Sequence, residues 1–224
     1  MSFDPARVKA VCFDIDGTLS NTDDQWVSQV EGHLRWLKIL FRHMDTVPLA
    51  RWLVMASESP SSILYHWLDA MSLDGKVAKL YERMIRRHPH TVKNFWLMPA
   101  ARETLDRLVG HYPLSVVSAR DTRSTQEFLT QFSLQGYFTA VATSQTCEHT
   151  KPYPHPVLWA AEKMQVAAQN CVMVGDTTVD VLAGRAAGAQ TVGLLCGFGT
   201  ERELRRAGAD LILQDLRELM QYLN

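Results

Sequence analysis

The apolar run Val11-Cys12-Phe13 leads directly into Asp14-Ile15-Asp16-Gly17-Thr18, and nothing else in the chain constrains its fold so tightly. A short continuous apolar run closed by turn residues is the pattern of a strand buried on both faces, and such strands belong to parallel sheets covered by helices. Open sheets of that kind keep their chemistry at the carboxyl ends of the strands, which is where Asp14 and Asp16 stand, one residue apart. Two carboxylates so close repel each other unless a cation joins them. A hard divalent ion such as Mg²⁺ suits the place, because it takes oxygen ligands and binds readily beside a substrate phosphate.

The same logic recurs further along. Cys171-Val172-Met173-Val174 is a second apolar run, and it ends in Gly175-Asp176-Thr177-Thr178-Val179-Asp180. Between the two acidic ends, Leu114-Ser115-Val116-Val117 leads into Ser118-Ala119-Arg120, and an irregular stretch carries Lys151-Pro152-Tyr153-Pro154-His155-Pro156. A hydroxyl and an ammonium thus join the acids.

In this order the residues resemble the haloacid dehalogenase superfamily. The resemblance rests on the DxDGT of 14–18, the strand-end Ser118, the Lys151 of a KPxPxP run and the GDxxxD of 175–180. The segment 96–224 is similar to the phosphoglycolate-phosphatase-like branch almost throughout, including Ala207-Gly208-Ala209-Asp210, whereas 20–95 resembles nothing so clearly.

From Pro99 onward, helical and strand patterns alternate. Strands are expected at 114–117, 139–142, 171–174, 190–195 and 211–213, with helices near 100–109, 122–132, 156–165, 179–187 and 200–207 and a last helix at the carboxyl end. Such alternation predicts an α/β fold, a doubly wound Rossmann-like parallel sheet with helices on both faces. The strand at 9–14 is separated from its partners by helical periodicity, with Trp26, Val30, Leu34, Leu37 and Phe41 at spacings of three and four. The core is therefore expected to be discontinuous, residues 1–19 with 96–224, and 20–95 to form an inserted all-helical cap over the strand ends. A helical cap placed there is also what the resemblance implies, and closing one would exclude water during phosphoryl transfer.

The resemblance implies a Mg²⁺-dependent phosphatase acting on a small phosphomonoester through an aspartyl-phosphate. In that reading Asp14 is the nucleophile. Asp16 protonates the leaving alkoxide and then deprotonates the attacking water. The metal is held by Asp14, by the main-chain carbonyl of Asp16 and by Asp176, with Asp180 in its first or second shell. Ser118 and the backbone near Ala119 hold phosphate oxygens, Lys151 neutralises the nucleophile and phosphate, and Thr18 and Arg120 join the substrate-binding set. Each residue also has a plainer reading: Asp180 as the start of the following helix, Thr18 and Ser118 as turn hydroxyls, Lys151 as a surface lysine. Asp16 favours a phosphatase over a dehalogenase, since a halide leaves without a proton. A phosphomutase, which returns the phosphoryl group to substrate, and a binding protein without turnover remain as alternatives.

Just past Leu19 the chain reads Ser20-Asn21-Thr22 where related phosphatases commonly read Val-Asp-Ser, so the chain departs from the family pattern where the insert begins. Specificity is expected in the insert, which offers Arg35, Arg42, Arg51, His33, His43 and His66. Trp26, Trp36, Trp52 and Trp67 fit a bundle core better than a binding face, and His88 and His90 flank a proline at an apparent hinge.

A formal net charge of -1 gives no electrostatic case for a nucleic-acid partner. No apolar stretch is long enough for a signal peptide or a membrane span, so a cytoplasmic protein is expected. Cys12, Cys147, Cys171 and Cys196 have no paired spacing and read as reduced thiols. The oligomeric state is left open.

Overall fold

The computed structural model describes residues 3–21 and 95–223. The chain divides into two compact units, Met1–Thr22 with Val92–Asn224 and, separately, Asp23–Thr91. All elements below belong to the first. Nearly all of the expected cap, with the tryptophans, arginines and histidines named in it, lies outside the described residues.

Six strands alternate with six helices: β1 Ala10–Phe13, α1 Ala101–Leu108, β2 Leu114–Val117, α2 Thr122–Gln131, β3 Phe138–Ala142 and α3 His155–Lys163 come first. They are followed by β4 Cys171–Gly175, α4 Thr178–Ala186, β5 Gln190–Leu194, α5 Glu201–Ala207, β6 Leu211–Leu213 and α6 Leu216–Leu219. The strands form one sheet in the order β3-β2-β1-β4-β5-β6, and every neighbouring pair is parallel. This is the expected doubly wound α/β sheet, and each element falls within a few residues of its sequence-based position. The wide gap in sequence between β1 and β2 does not keep them apart. Val11, Cys12 and Phe13 stand opposite Leu114, Ser115 and Val116.

The strands are buried on both faces, as their uninterrupted apolar runs require. Val11 and Phe13 point to one face and join Leu105, Leu108, Phe128, Leu216 and Leu219 from α1, α2 and α6. Ala10 and Cys12 point to the other and join Val157, Ala160, Ala161 and Ala183 from α3 and α4. The second face is built of smaller side chains, so backbones approach closely there. A Cβ on Gly184 of α4 would stand 2.6 Å from a Thr191 methyl and 2.9 Å from the Met173 Cβ. Cys12 and Cys171 are fully buried in this layer, as small apolar residues rather than ligands.

The sheet order reverses direction beside β1: β2 and then β3 are added on one side, and a single crossover from β3 leads back to β4 on the other. Crevices at such switch points, outside the carboxyl ends of the strands, are where open α/β sheets bind ligands. Both acidic motifs end there, since Asp14 follows β1 and Asp176 follows β4, and the two strands are hydrogen-bonded neighbours.

Phe13 is fully buried at the centre of the sheet. Phe13→Ala is expected to destabilise the protein by about 3–5 kcal/mol, read as a shift in the urea unfolding midpoint, because the surrounding strands relax only partly into the cavity.

Candidate active site

Strand β1 delivers Asp14 to the crevice with its backbone still in register, the Asp14 N–H donating to the Val174 carbonyl at 2.9 Å. The chain then folds back on itself. The Ile15 carbonyl accepts from the N–H groups of Leu19 at 2.8 Å and Ser20 at 2.7 Å, while buried Ile15 and Leu19 anchor the turn in the core. Gly17 sits at the apex with a left-handed φ of 72°. Any side chain there would be strained, and its Cβ would overlap the Asp176 carboxylate.

Asp176 is fully buried. Its Oδ2 accepts from the Phe198 N–H at 2.7 Å, its Oδ1 lies 3.4 Å from the Thr18 hydroxyl, and its carbonyl accepts from the Gly199 N–H at 3.0 Å. The loop after β5 therefore wraps the acid, and Gly197 approaches so closely that a Cβ would collide with the carboxylate.

Asp180 is the third residue of α4 and divides its two oxygens between two tasks. Oδ2 accepts from the Thr177 N–H at 3.0 Å and the Thr177 hydroxyl at 2.6 Å, closing a capping box at the start of the helix. Oδ1 accepts from the Lys151 ammonium at 2.6 Å. The same ammonium lies 2.7 Å from Asp14 Oδ1, so one buried lysine bridges the ends of β1 and α4.

Asp14, Asp176 and Asp180 each offer an oxygen within 4.8 Å of the others, and all three residues are buried. Lys151 supplies one positive charge to a trio carrying three negative ones. Leaving the surplus buried would cost several kcal/mol, and groups so placed bind a cation or take up a proton instead. An all-oxygen donor set of this charge suits a hard divalent cation. The titration of Asp14 reflects the same imbalance. Burial, reinforced by Asp180 and Asp16 and opposed by Lys151, raises its pKa from 3.8 to about 7. Burial alone would lower the pKa of Lys151, yet Asp14 and Asp180 more than offset it and leave the ammonium firmly protonated.

On the other side of the crevice, β2 is followed by Ser118, whose N–H donates to the Ala142 carbonyl at 2.9 Å and whose Oγ accepts from the Arg120 N–H at 3.1 Å. Ser118 is 1% exposed, and Ala119 beside it is exposed. Arg120 turns its guanidinium onto Asp16, donating through Nε to Oδ2 at 2.8 Å and through Nη2 to Oδ1.

The expected core residues lie at the ends of β1, β2 and β4, in the first turn of α4 and in the stretch before α3, while those expected in the insert fall outside the described residues. Asp14, Lys151, Asp176 and Asp180 share one buried cluster. Thr18 is fully buried with its hydroxyl toward Asp176, and Arg120 is committed to Asp16. The wrapping loop of Cys196-Gly197-Phe198-Gly199 was not legible as part of the site, although two glycines following a strand end are a signal for close backbone approach. The aromatic residues flanking Arg120 were not legible either.

The family can now be stated. Residues 11–194 match the model of the haloacid dehalogenase-like hydrolases, and the chain belongs to that family. It is 28% identical over 222 residues to a phosphoglycolate phosphatase of Photobacterium profundum, covering 95% of this chain and 94% of the relative. It is 23% identical over 214 residues to the pyrophosphatase PpaX of Oceanobacillus iheyensis, covering 95% of both. Among solved structures, a haloacid dehalogenase-like family protein from Streptococcus pneumoniae shares the fold with a TM-score of 0.70 at 21% identity, over 97% of this chain and 99% of that one.

The raised pKa of Asp14 fixes a sign for stability. Without metal, the folded protein holds a proton on Asp14 that the unfolded chain releases above about pH 4, so this group makes stability fall as pH climbs from about 4 to about 7. A bound cation must displace that proton below pH 7 but not above it. Millimolar Mg²⁺ is therefore expected to raise the melting temperature more at pH 8 than at pH 5.5, by differential scanning fluorimetry, and Asp176→Asn to abolish the shift at both.

Proposed function

We propose that this protein is a Mg²⁺-dependent phosphatase hydrolysing a small phosphorylated metabolite in the cytoplasm. The observation that carries the proposal is Asp14: a buried carboxylate at the switch point, one oxygen on the Lys151 ammonium, with Asp16 near enough to act on its charge. The proposed cap is residues 20–95, inserted between residues 1–19 and 96–224 of the core. Among the described residues, no helix is long and apolar enough to cross a membrane.

In the proposed reaction an Asp14 oxygen forms a bond to phosphorus as the bond from phosphorus to the ester oxygen breaks. The Asp16 carboxylic acid gives its proton to that departing oxygen, and an alcohol leaves. In the second half the Asp16 carboxylate takes a proton from water as the water oxygen attacks phosphorus. The Asp14–phosphorus bond breaks, and both aspartates return to their starting states. Ser118 and the backbone at Ala119 orient phosphate oxygens, and Lys151 offsets the charge gathered around Asp14. Asp14, Asp176, Asp180 and the main-chain carbonyl of Asp16 would hold Mg²⁺, which when bound offsets negative charge on the transferring group.

The name of the Photobacterium profundum relative supports phosphoglycolate as a first substrate to try, and that of the Oceanobacillus iheyensis relative supports adding pyrophosphate to the panel. The test is inorganic phosphate release from a panel of phosphomonoesters, with Mg²⁺ and with chelator. The parent protein is expected to release phosphate only with Mg²⁺, and Asp14→Asn to lower kcat by more than about a thousandfold, since a nucleophile acting in a unit has no substitute. Phosphate kept in an isomerised product would replace the phosphatase by a mutase. Undiminished release by Asp14→Asn would remove Asp14 from the chemistry.

A further inference from the structure

We infer that Arg120 is the positioning residue for Asp16, holding its carboxylate at the angle from which it exchanges a proton with the leaving group. The inference rests on the phosphatase reading and assigns Arg120 a part in it other than gripping substrate. Three observations carry it.

The first is the pairing itself. Nε and Nη2 of Arg120 each donate to a different oxygen of Asp16. This two-point contact sets the plane of the carboxylate as well as its position, which a single hydrogen bond or a lysine could not do. A carboxylate has about four lone-pair sites, and the fork takes one on each oxygen. Asp16 keeps 21% of its side chain exposed while that of Arg120 is 9% exposed, so the acid is the more accessible member of the pair and the guanidinium the more deeply packed one.

The second is that Arg120 is itself held from several directions. Its guanidinium carbon lies 4.9 Å from the centroid of Phe95 and 5.4 Å from that of Phe128, within cation–π range of both rings. Its N–H donates to Ser118 Oγ at 3.1 Å. A side chain packed this way cannot swing out to a ligand without leaving two aromatic faces and an ion pair. Phe128 belongs to the core of α2, so the position of Asp16 is referred to the rigid sheet layer rather than to its own loop.

The third is the link to the chain on either side of residues 22–94. Arg120 Nη2 lies 3.4 Å from Ser20 Oγ. Ser20 is fully buried and bridges to Leu97, and the flanking backbone closes with Asn21 N–H to the Trp96 carbonyl and Met98 N–H to the Leu19 carbonyl, both at 2.8 Å. Phe95 precedes the same bridge. Arg120 thus ties the proton-transferring acid to the paired segments 19–21 and 96–98, and the serine found at the point of departure from the family pattern is one of its contacts.

The test separates esters by their need for a proton. An alkyl phosphate such as phosphoglycolate leaves as an alkoxide and needs one, whereas p-nitrophenyl phosphate leaves as a stabilised phenolate and hardly does. For Arg120→Ala, kcat on the alkyl ester is expected to fall by roughly a hundredfold, the low end of what a positioned general acid contributes, and the fall on the aryl ester to be about tenfold smaller. Combined with Asp16→Asn, which should show the same leaving-group signature, Arg120→Ala should add little further loss on the alkyl ester, because the arginine acts through the aspartate. Arg120→Lys, which keeps the charge, is expected to show the same preference and decides the matter if the alanine variant does not fold. Equal losses on the two esters, or full additivity with Asp16→Asn, would overturn the positioning role while leaving the phosphatase reading intact. Failure of the parent protein to release phosphate from any ester would overturn both.

Discussion

One ammonium organises the site. Lys151 comes from an irregular proline-containing stretch, yet its Nζ is buried between Asp14 at the end of β1 and Asp180 in the first turn of α4. Neither carboxylate could be kept in so dry a place without it, because an unpaired buried charge costs several kcal/mol. Nor does it satisfy the place completely. With Asp176 adjoining, the cluster retains more negative than positive charge, and the raised pKa of Asp14 is the visible consequence. The charge and the oxygen donors of the cluster suit a further cation.

The acids are held in place by the backbone around them. Asp176 is enclosed by Gly17, Gly197 and Gly199, positions where a Cβ would collide with it, and it receives the Phe198 N–H. Asp180 is fixed because the oxygen not used by Lys151 closes the capping box with Thr177. Its two sequence readings, helix start and site residue, are therefore not alternatives. One carboxylate does both, and the helix start is what aims it. A site held by hydrogen bonds to neighbouring backbone is preorganised, which is what electrostatic stabilisation of phosphoryl transfer demands.

Across the crevice the same principle works with different parts. Asp16 lies only two residues from Asp14, but the two acids are served by different cations: Lys151 holds the first and Arg120 the second. Each neighbouring carboxylate thus has a counter-charge of its own. Arg120 in turn is steadied by Phe95 and Phe128, which arrive from a segment far from β1 in sequence and from α2.

The sequence alone determined the strands, their parallel arrangement and the acids at their ends, because those are local signals: an apolar run of a given length and a turn residue after it are read without knowing the neighbours. Asp14, Asp16, Asp176 and Asp180 follow such runs and were legible as strand-end acids, whereas Ser118 and Lys151 gained their expected roles only through the resemblance to the family. The tertiary structure decided who faces whom. That Arg120 would lie against Asp16 depends on β2 lying beside β1 and on two phenylalanines packing around a guanidinium. That Phe198 would donate to Asp176 depends on the loop after β5 folding back past β4. Such pairings link residues about 20 to 100 positions apart, and no periodicity encodes them; they arise when a sheet brings separate strand ends to one edge.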